Sequence, residues 1–317
     1  MPLLSVALAV LLMLLLVTVA KLDAFFALLL TSMAVGLLNG LGLLGALQSV
    51  MRGLGATLGG VTLILAFGAM LGALIDTSGA ARVITERLTA RFGRRHVQVA
   101  MALTGFLVGL PMLYNAGFLL LIPLVYGVAA ATGLPLVYVG IPLASALSVT
   151  HGFLPPHPAP TFVAFAYGAD IGRTIAVGLV AAVPACLLGG ILFARALSRR
   201  LVAQGAPPPI PGAATGGDAS ASRPGFGVSV ATILVPIALV LLAAVVDVLA
   251  GTARIDPLRA DVDVQAQLAA AVPDPALRAF VTAAKFLGNA NVALFLGVLA
   301  ALYTLGLRRG RTMDALM

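Results

Sequence analysis

The stretch Ser148-Val-Thr-His-Gly-Phe-Leu-Pro-Pro-His-Pro-Ala-Pro-Thr161 gathers most of the side chains in this chain that can do chemistry. Its prolines, Pro155, Pro156, Pro158 and Pro160, lack an N–H and fix φ, so they cannot all sit inside one continuous helix. Apolar runs flank the stretch on both sides. That pattern predicts a broken helix at membrane depth, which is tolerated only where it lines a cavity or is buried in protein. A half-helix N-terminus exposes unpaired N–H groups and carries partial positive charge. It can therefore hold an anion without a lysine or arginine. Ser148 and Thr150 add hydroxyls suited to a polyol or a carboxylate, and His151 and His157 can donate to an anion or carry a proton near neutral pH. A plainer alternative is a re-entrant turn with both histidines in water at its mouth. Zinc at the histidine pair fails on ligand count, because zinc takes three or four ligands and His96 lies far off among arginines. No metal and no cofactor is expected.

A second candidate is Gly105-Phe-Leu-Val-Gly-Leu-Pro-Met-Leu-Tyr114-Asn115-Ala-Gly117. Two apolar arms, 99–113 and 116–131, meet at a polar Tyr114-Asn115 junction. The residues alone fit a re-entrant hairpin over 99–131 or an ordinary external turn between two full spans, since Asn is common in turns.

The elements that must position these residues follow from composition. Of 317 residues, 61% are apolar and only 9% charged, and the mean hydropathy is +1.11. A water-soluble domain carries about 25% charged residues, so the solvent here is lipid. A span needs about 20 apolar residues, and runs that qualify or nearly so are 3–20, 24–41, 57–75, 134–149, 174–197, 228–249 and 286–307. The segment 42–56, with Gln48 and Arg52, reads as interfacial. The Gly55–Gly59 and Gly68–Gly72 spacings read as close helix packing. The net charge of +8 sits in arginine clusters between apolar runs, which marks cytoplasmic anchoring and not nucleic-acid binding. Residues 76–98, whose arginines read as one short loop, and residues 195–200 and 308–311 carry those clusters; placing all three inside puts Met1 outside and the loop 250–284 outside. Residues 202–224, rich in Pro, Gly, Ala and Ser, read as a flexible cytoplasmic linker. The single Cys186 excludes an internal disulfide. Asp247 reads as structural.

Phe26–Gly40 (FALLLTSMAVGLLNG) and Val292–Gly306 (VALFLGVLAALYTLG) each follow a first span and start on opposite sides of the membrane. That is the form of an inverted repeat. The expected organisation is a first repeat over 1–200 with the hairpin at 99–131 and a broken helix at 134–170, a linker over 201–226, and the start of a second repeat over 227–317. The second copy is shorter than the first, so a second hairpin and second broken helix are expected to be missing.

The strings SVTHGFLPPHPAPT, TGFLVGLPMLYNAGF and LILAFGAMLGALIDTSGAAR, with LVPIALV and GLRRGRTMDAL further on, resemble the gluconate permease family, gluconate:proton symporters of the cell inner membrane, and the resemblance runs from Met1 to Met317. It implies gluconate or a related sugar acid as substrate and a proton as coupling ion. It implies that 99–131 is a re-entrant hairpin, and that the fold is an all-α multi-pass transporter pairing a scaffold with a moving unit. The positions carried over are Ser148, Thr150, His151, Gly152 and His157, beside Tyr114 and Asn115 at the hairpin tip. Several family members are similar to Tyr-Glu or Phe-Glu there. Asn115 cannot titrate, which moves any proton-linked role onto His151 or His157. Family members are also longer. The partners expected are a small anion, a proton and the bilayer, with a homo-oligomer left open. Rival readings are a transporter of another organic anion, a non-transporting membrane scaffold, and a membrane-embedded enzyme. The enzyme reading needs clustered ionisable residues within spans, and only the histidine pair offers that, so no enzymatic activity is expected.

Overall fold

The computed structural model describes residues 2–200, 223–253, 255 and 263–310. Among them every regular element is helical. The linker over 201–222, the loop charges Arg254, Asp256, Arg259 and Asp261, and the terminal residues 311–317 lie outside the described residues. By compactness the chain divides into two units, Met1–Thr62 and Leu63–Met317.

The first unit holds α1 (Pro2–Thr18), α2 (Ala24–Leu38) and the start of α3 (Gly42–Thr77). Asp23 opens α2 by accepting the Phe25 N–H at 2.9 Å. A Cβ on Gly36 would stand 2.7 Å from the Ala46 Cβ, so this glycine lets α2 and the first turns of α3 touch. The helices α1 and α2 have 17 and 15 residues, somewhat short of the ~20 that span a bilayer core. The helix α3 takes in both 42–56 and 57–75.

The second unit contains the rest of α3, then α4 (Ala80–Phe92), α5 (Val97–Gly109), α6 (Tyr114–Thr132), α7 (Leu136–Phe153), α8 (Pro158–Ala166), α9 (Ile171–Ala185) and α10 (Phe193–Arg200). After the linker come α11 (Phe226–Leu249), α12 (Val264–Ala271), α13 (Pro275–Leu287) and α14 (Ala290–Ala301). Among the described residues five stretches are long and apolar enough to cross a membrane: Tyr114–Thr132, Leu136–Ala166, Ile171–Arg200, Phe226–Leu249 and Ala290–Arg309. On α9 the residues Val177, Val180 and Val183 form one stripe, 69%, 74% and 68% exposed. Such a stripe is stable against lipid and costly against water.

Three local expectations need correction. The arginine-rich segment is not a loop: Arg82, Arg87 and Arg91 lie on α4, where Arg82 pairs with Glu86 one turn on at 2.9 Å, and Arg94 and Arg95 lie in the 3-10 turn Arg94–His96 after it. The span expected over 286–307 starts later, as Ala290–Arg309: α13 ends at Leu287, and Asn289 starts α14 by accepting the Asn291 N–H at 3.1 Å. The glycines at 55, 59 and 68 have open space where a Cβ would go, so they mediate no close packing. Of that set only Gly72 does, its added Cβ falling 3.1 Å from Met112 Cγ.

The close approach that organises the unit is elsewhere. The helix α5 lies along α7. A Cβ on Gly105 would meet the Leu143 carbonyl oxygen at 2.5 Å and the Ala146 Cβ at 3.1 Å, and one on Gly109 would collide with the Thr150 hydroxyl. Around this seam Met101, Val108, Leu143, Leu147 and Leu154 are buried. Small residues four apart let two backbones come together where lipid gives little hydrophobic driving force.

A buried charge cluster closes the far end of α11. Lys285 on α13 pairs with Asp247 at 2.8 Å, their side chains 5% and 13% exposed. The same ammonium donates to the Thr252 carbonyl at 3.1 Å and the Ile255 carbonyl at 2.9 Å. Thr252 Oγ1 donates to Asp247 Oδ1 at 2.8 Å. All three ammonium protons thus have acceptors, which offsets the cost of burying the pair.

Candidate functional site

The helix α7 ends at Phe153, and α8 begins at Pro158, with a cis peptide between Pro155 and Pro156 in the break. The break has the cause read from the sequence: consecutive prolines remove donors and fix φ. Leu154 N–H still reaches the Thr150 carbonyl at 3.2 Å and His157 N–H the Leu154 carbonyl at 3.1 Å, so the chain turns tightly without stranding those donors.

A cavity of about 480 Å³ opens beside the break, lined by Leu113, Tyr114, Asn115, Ser148, His151 and Pro158. Its wall therefore joins the start of α6, the last turns of α7 and the start of α8. Four of the seven residues expected at the site are on it: Tyr114, Asn115, Ser148 and His151. The other three are placed differently. Thr150 is fully buried and donates to the Leu147 carbonyl at 2.9 Å. Its role in the structure is to pack on Gly109. Gly152 is exposed and lines no cavity. His157 is 4% exposed and sits behind His151.

The two histidines are joined. His151 Nδ1 and His157 Nδ1 are 3.2 Å apart, and His157 Nε2 lies 2.9 Å from the Gly109 carbonyl oxygen. Gly109 is the last residue of α5, where helical carbonyls lose their intrahelical partners. The histidine supplies the missing donor. No sequence pattern signals that contact, because the acceptor is a backbone atom of another helix, 48 positions away. Among the described residues no group of three or more His, Cys, Asp or Glu is arranged to hold a metal.

The polarity of the cavity comes more from α6 than from α8. Tyr114 and Asn115 are the first residues of α6 and not the tip of a turn; the turn itself is Leu110–Leu113. Leu113 precedes α6 in an extended conformation, and no side chain caps that end. The N–H groups of the first turn of a helix have no intrahelical acceptors, and of that turn Tyr114 and Asn115 line the cavity. By contrast α8 opens Pro158-Ala159-Pro160, so two of its first three residues have no N–H to offer. Tyr114 is held by a stacked Phe118, ring centroids 5.6 Å apart and 9° between planes. The two arms beside the cavity are unequal: α5 has 13 residues and α6 has 19.

Among the described residues, five apolar membrane-length stretches define an all-helical, multi-pass membrane protein, with a polar cavity beside its broken helix. The chain belongs to the GntP permease family, whose model matches residues 1–317. It is 41% identical over 316 residues to the high-affinity gluconate transporter of Escherichia coli K12, covering 99% of this chain and 65% of that protein. It is 39% identical over 317 residues to the Gnt-II system L-idonate transporter of the same strain, covering 100% of this chain and 66% of that protein. It is 32% identical over 297 residues to the D-serine transporter of that strain, covering 94% and 61%. The chain thus spans about two thirds of the length of these relatives. No solved structure matches it.

Proposed function

We propose that this chain forms the substrate-binding part of a secondary transporter for gluconate or a closely related sugar acid, moving the anion together with a proton. The observation that carries the reading is the cavity at the break of α7 and α8. It places an uncapped helix N-terminus, an aromatic ring, an amide, a hydroxyl and an imidazole around one space of about 480 Å³. That volume falls in the ~300–1,000 Å³ range of small-molecule sites. The first-turn N–H groups of α6 suit a carboxylate. Ser148 and Asn115 suit hydroxyls, and Tyr114 offers a flat face to the carbon chain.

The relatives' substrates sharpen the class. Gluconate, L-idonate and D-serine each carry a carboxylate on a carbon that also bears a hydroxyl or ammonium, with a hydroxyl on the next carbon. The part of the ligand that the cavity reads is this 2-substituted carboxylate. An enzyme would need reacting groups clustered in the cavity, and its wall offers a single imidazole. The orientation with Met1 outside, the inverted repeat and alternating access by movement of the α5–α6 pair against the remaining spans complete the proposal.

The test is binding of labelled gluconate to the purified chain in lipid nanodiscs, with unlabelled L-idonate, D-serine and acetate as competitors. The reading expects competition by L-idonate and none by acetate, which lacks the 2-substituent. Competition by acetate equal to that by L-idonate would show a generic anion site and sink the reading.

A further inference from the structure

The two histidines are not equivalent, and their inequality follows from one backbone oxygen. The Gly109 carbonyl can only accept, so the His157 nitrogen 2.9 Å from it, Nε2, must carry a proton. In a neutral imidazole the other nitrogen is then bare. His157 Nδ1 is therefore an acceptor, and its neighbour at 3.2 Å, His151 Nδ1, must be the donor. The same rule applied once more leaves His151 Nε2 bare. Among the described residues that nitrogen has no partner, and the residue lines the cavity. The chain of bonds runs His151 to His157 to Gly109, and its open end is a lone pair.

A lone pair cannot hydrogen-bond a carboxylate, because both are acceptors. A proton placed on His151 Nε2 reverses this. The ring becomes a cation, keeps its Nδ1–H bond to His157, and turns Nε2 into a donor aimed into the cavity, where a charge-assisted bond to the anion forms. From this geometry we infer that His151 Nε2 is the site where the coupling proton is taken up as the carboxylate binds. His157 is a positioning residue that forces the requirement by fixing the tautomer of His151. The inference rests on the anion-binding reading of the cavity. The proton comes from water, and anion and cation enter the site as a neutral pair.

The surroundings leave this role to His151. On the elements packed against α7, α5 contributes no ionisable side chain, and α6 contributes Tyr114 at the cavity and Tyr126. The helix α8 contributes none. At α9, Asp170 accepts the Arg173 N–H at 2.7 Å, and neither side chain lines the cavity. The π-helical turn after α9 carries Cys186. On α10, Arg195 donates to Gln98 at 2.7 Å, and Arg199 and Arg200 lie at the end of the helix, off the cavity wall. No carboxylate on the wall competes for the proton and no fixed cation replaces it.

Two measurements test the inference. Gluconate binding to the chain in nanodiscs is followed by calorimetry at about pH 8, where an ordinary imidazole is neutral, in buffers of different ionisation enthalpy, which counts protons taken up. About one proton per gluconate is expected for the unaltered chain. His151→Gln should take up none and bind at least tenfold more weakly. His157→Ala frees His151 to adopt the other tautomer, so binding should persist while proton uptake drops well below one. His157→Gln can donate to Gly109 and accept from His151, so it should restore uptake towards one. Binding by the unaltered chain without proton uptake would mean His151 accepts a substrate hydroxyl, and would overturn the inference; so would full uptake in His157→Ala. Absence of gluconate binding would instead defeat the substrate reading. The second measurement then decides alone: nitrogen NMR of the 15N-histidine chain at alkaline pH, assigned with single His→Gln variants. Bare Nε2 on His151 and bare Nδ1 on His157 support the inference, and a protonated His151 Nε2 overturns it.

Discussion

Two polar clusters lie among the apolar helices of the second unit, and they are built on opposite principles. Around Lys285 every proton has an acceptor: Asp247, the Thr252 carbonyl and the Ile255 carbonyl, with Thr252 Oγ1 closing on Asp247. Around His151 the contacts run through His157 to the Gly109 carbonyl, and His151 itself stands on a cavity wall. A saturated cluster has nothing left to offer a ligand. Its charges cost desolvation that only complete pairing offsets, so it acts as a staple between α11, α13 and the segment between them. The histidine chain is saturated at its buried end and open at the other. On the proposed reading, that open end, and not polarity as such, separates a binding site from a staple.

The comparison can be broken most sharply at the staple. Asp247→Ala leaves a buried ammonium without its counter-ion, and should cost about 3–5 kcal/mol of stability. Thermal unfolding in detergent reads this, and Asp247→Leu combined with Lys285→Met should recover most of the loss. A melt unchanged by Asp247→Ala would show that the pair is not a staple. Next in size is the seam that presents Gly109 to His157. Gly109→Ala drives a Cβ into the Thr150 hydroxyl, and overpacking of this kind costs about 1–3 kcal/mol. Thr150→Ala added to it should restore part of the stability, and independent, additive losses would refute the contact.

At the open end the effect should move from stability to binding. His151→Gln is expected to weaken gluconate binding at least tenfold, about 1.4 kcal/mol, while the melting temperature stays near that of the unaltered chain. Equal losses in both would make the histidine pair a second staple. Smallest of all, Gly68→Ala fills open space in a helix and should stabilise by about 0.5–1 kcal/mol. Destabilisation there would bring back the close packing that the Gly68–Gly72 spacing suggested.

Much of the site was legible along the chain because its cause is local. Closely spaced prolines at 155, 156, 158 and 160 cannot all sit in one continuous helix, so a break between α7 and α8 follows from residue types. Ser148, His151, Tyr114 and Asn115 were within reach because they are polar residues in otherwise apolar surroundings. Thr150 and His157 carried the same signal yet lie off the cavity wall, since a side chain's direction depends on what packs against its helix. Leu113 and Pro158 line the cavity with no signal at all. The two arms over 99–131 also differ from a symmetrical picture, because α5 stops at Gly109 and α6 starts at Tyr114.

What the sequence determined by itself was the solvent and the class of structure. With so few charges and such long apolar runs, backbone polar groups must be satisfied within helices, and the helices must face lipid. It also determined where the regular structure fails, since proline chemistry acts within a residue or two. Only the tertiary structure decided which glycines bring helices together, that Lys285 finds Asp247, and that His157 meets the carbonyl of Gly109. Those are contacts between positions 10 to 48 residues apart. Their energies depend on a distance of a few tenths of an ångström, which no spacing along the chain encodes.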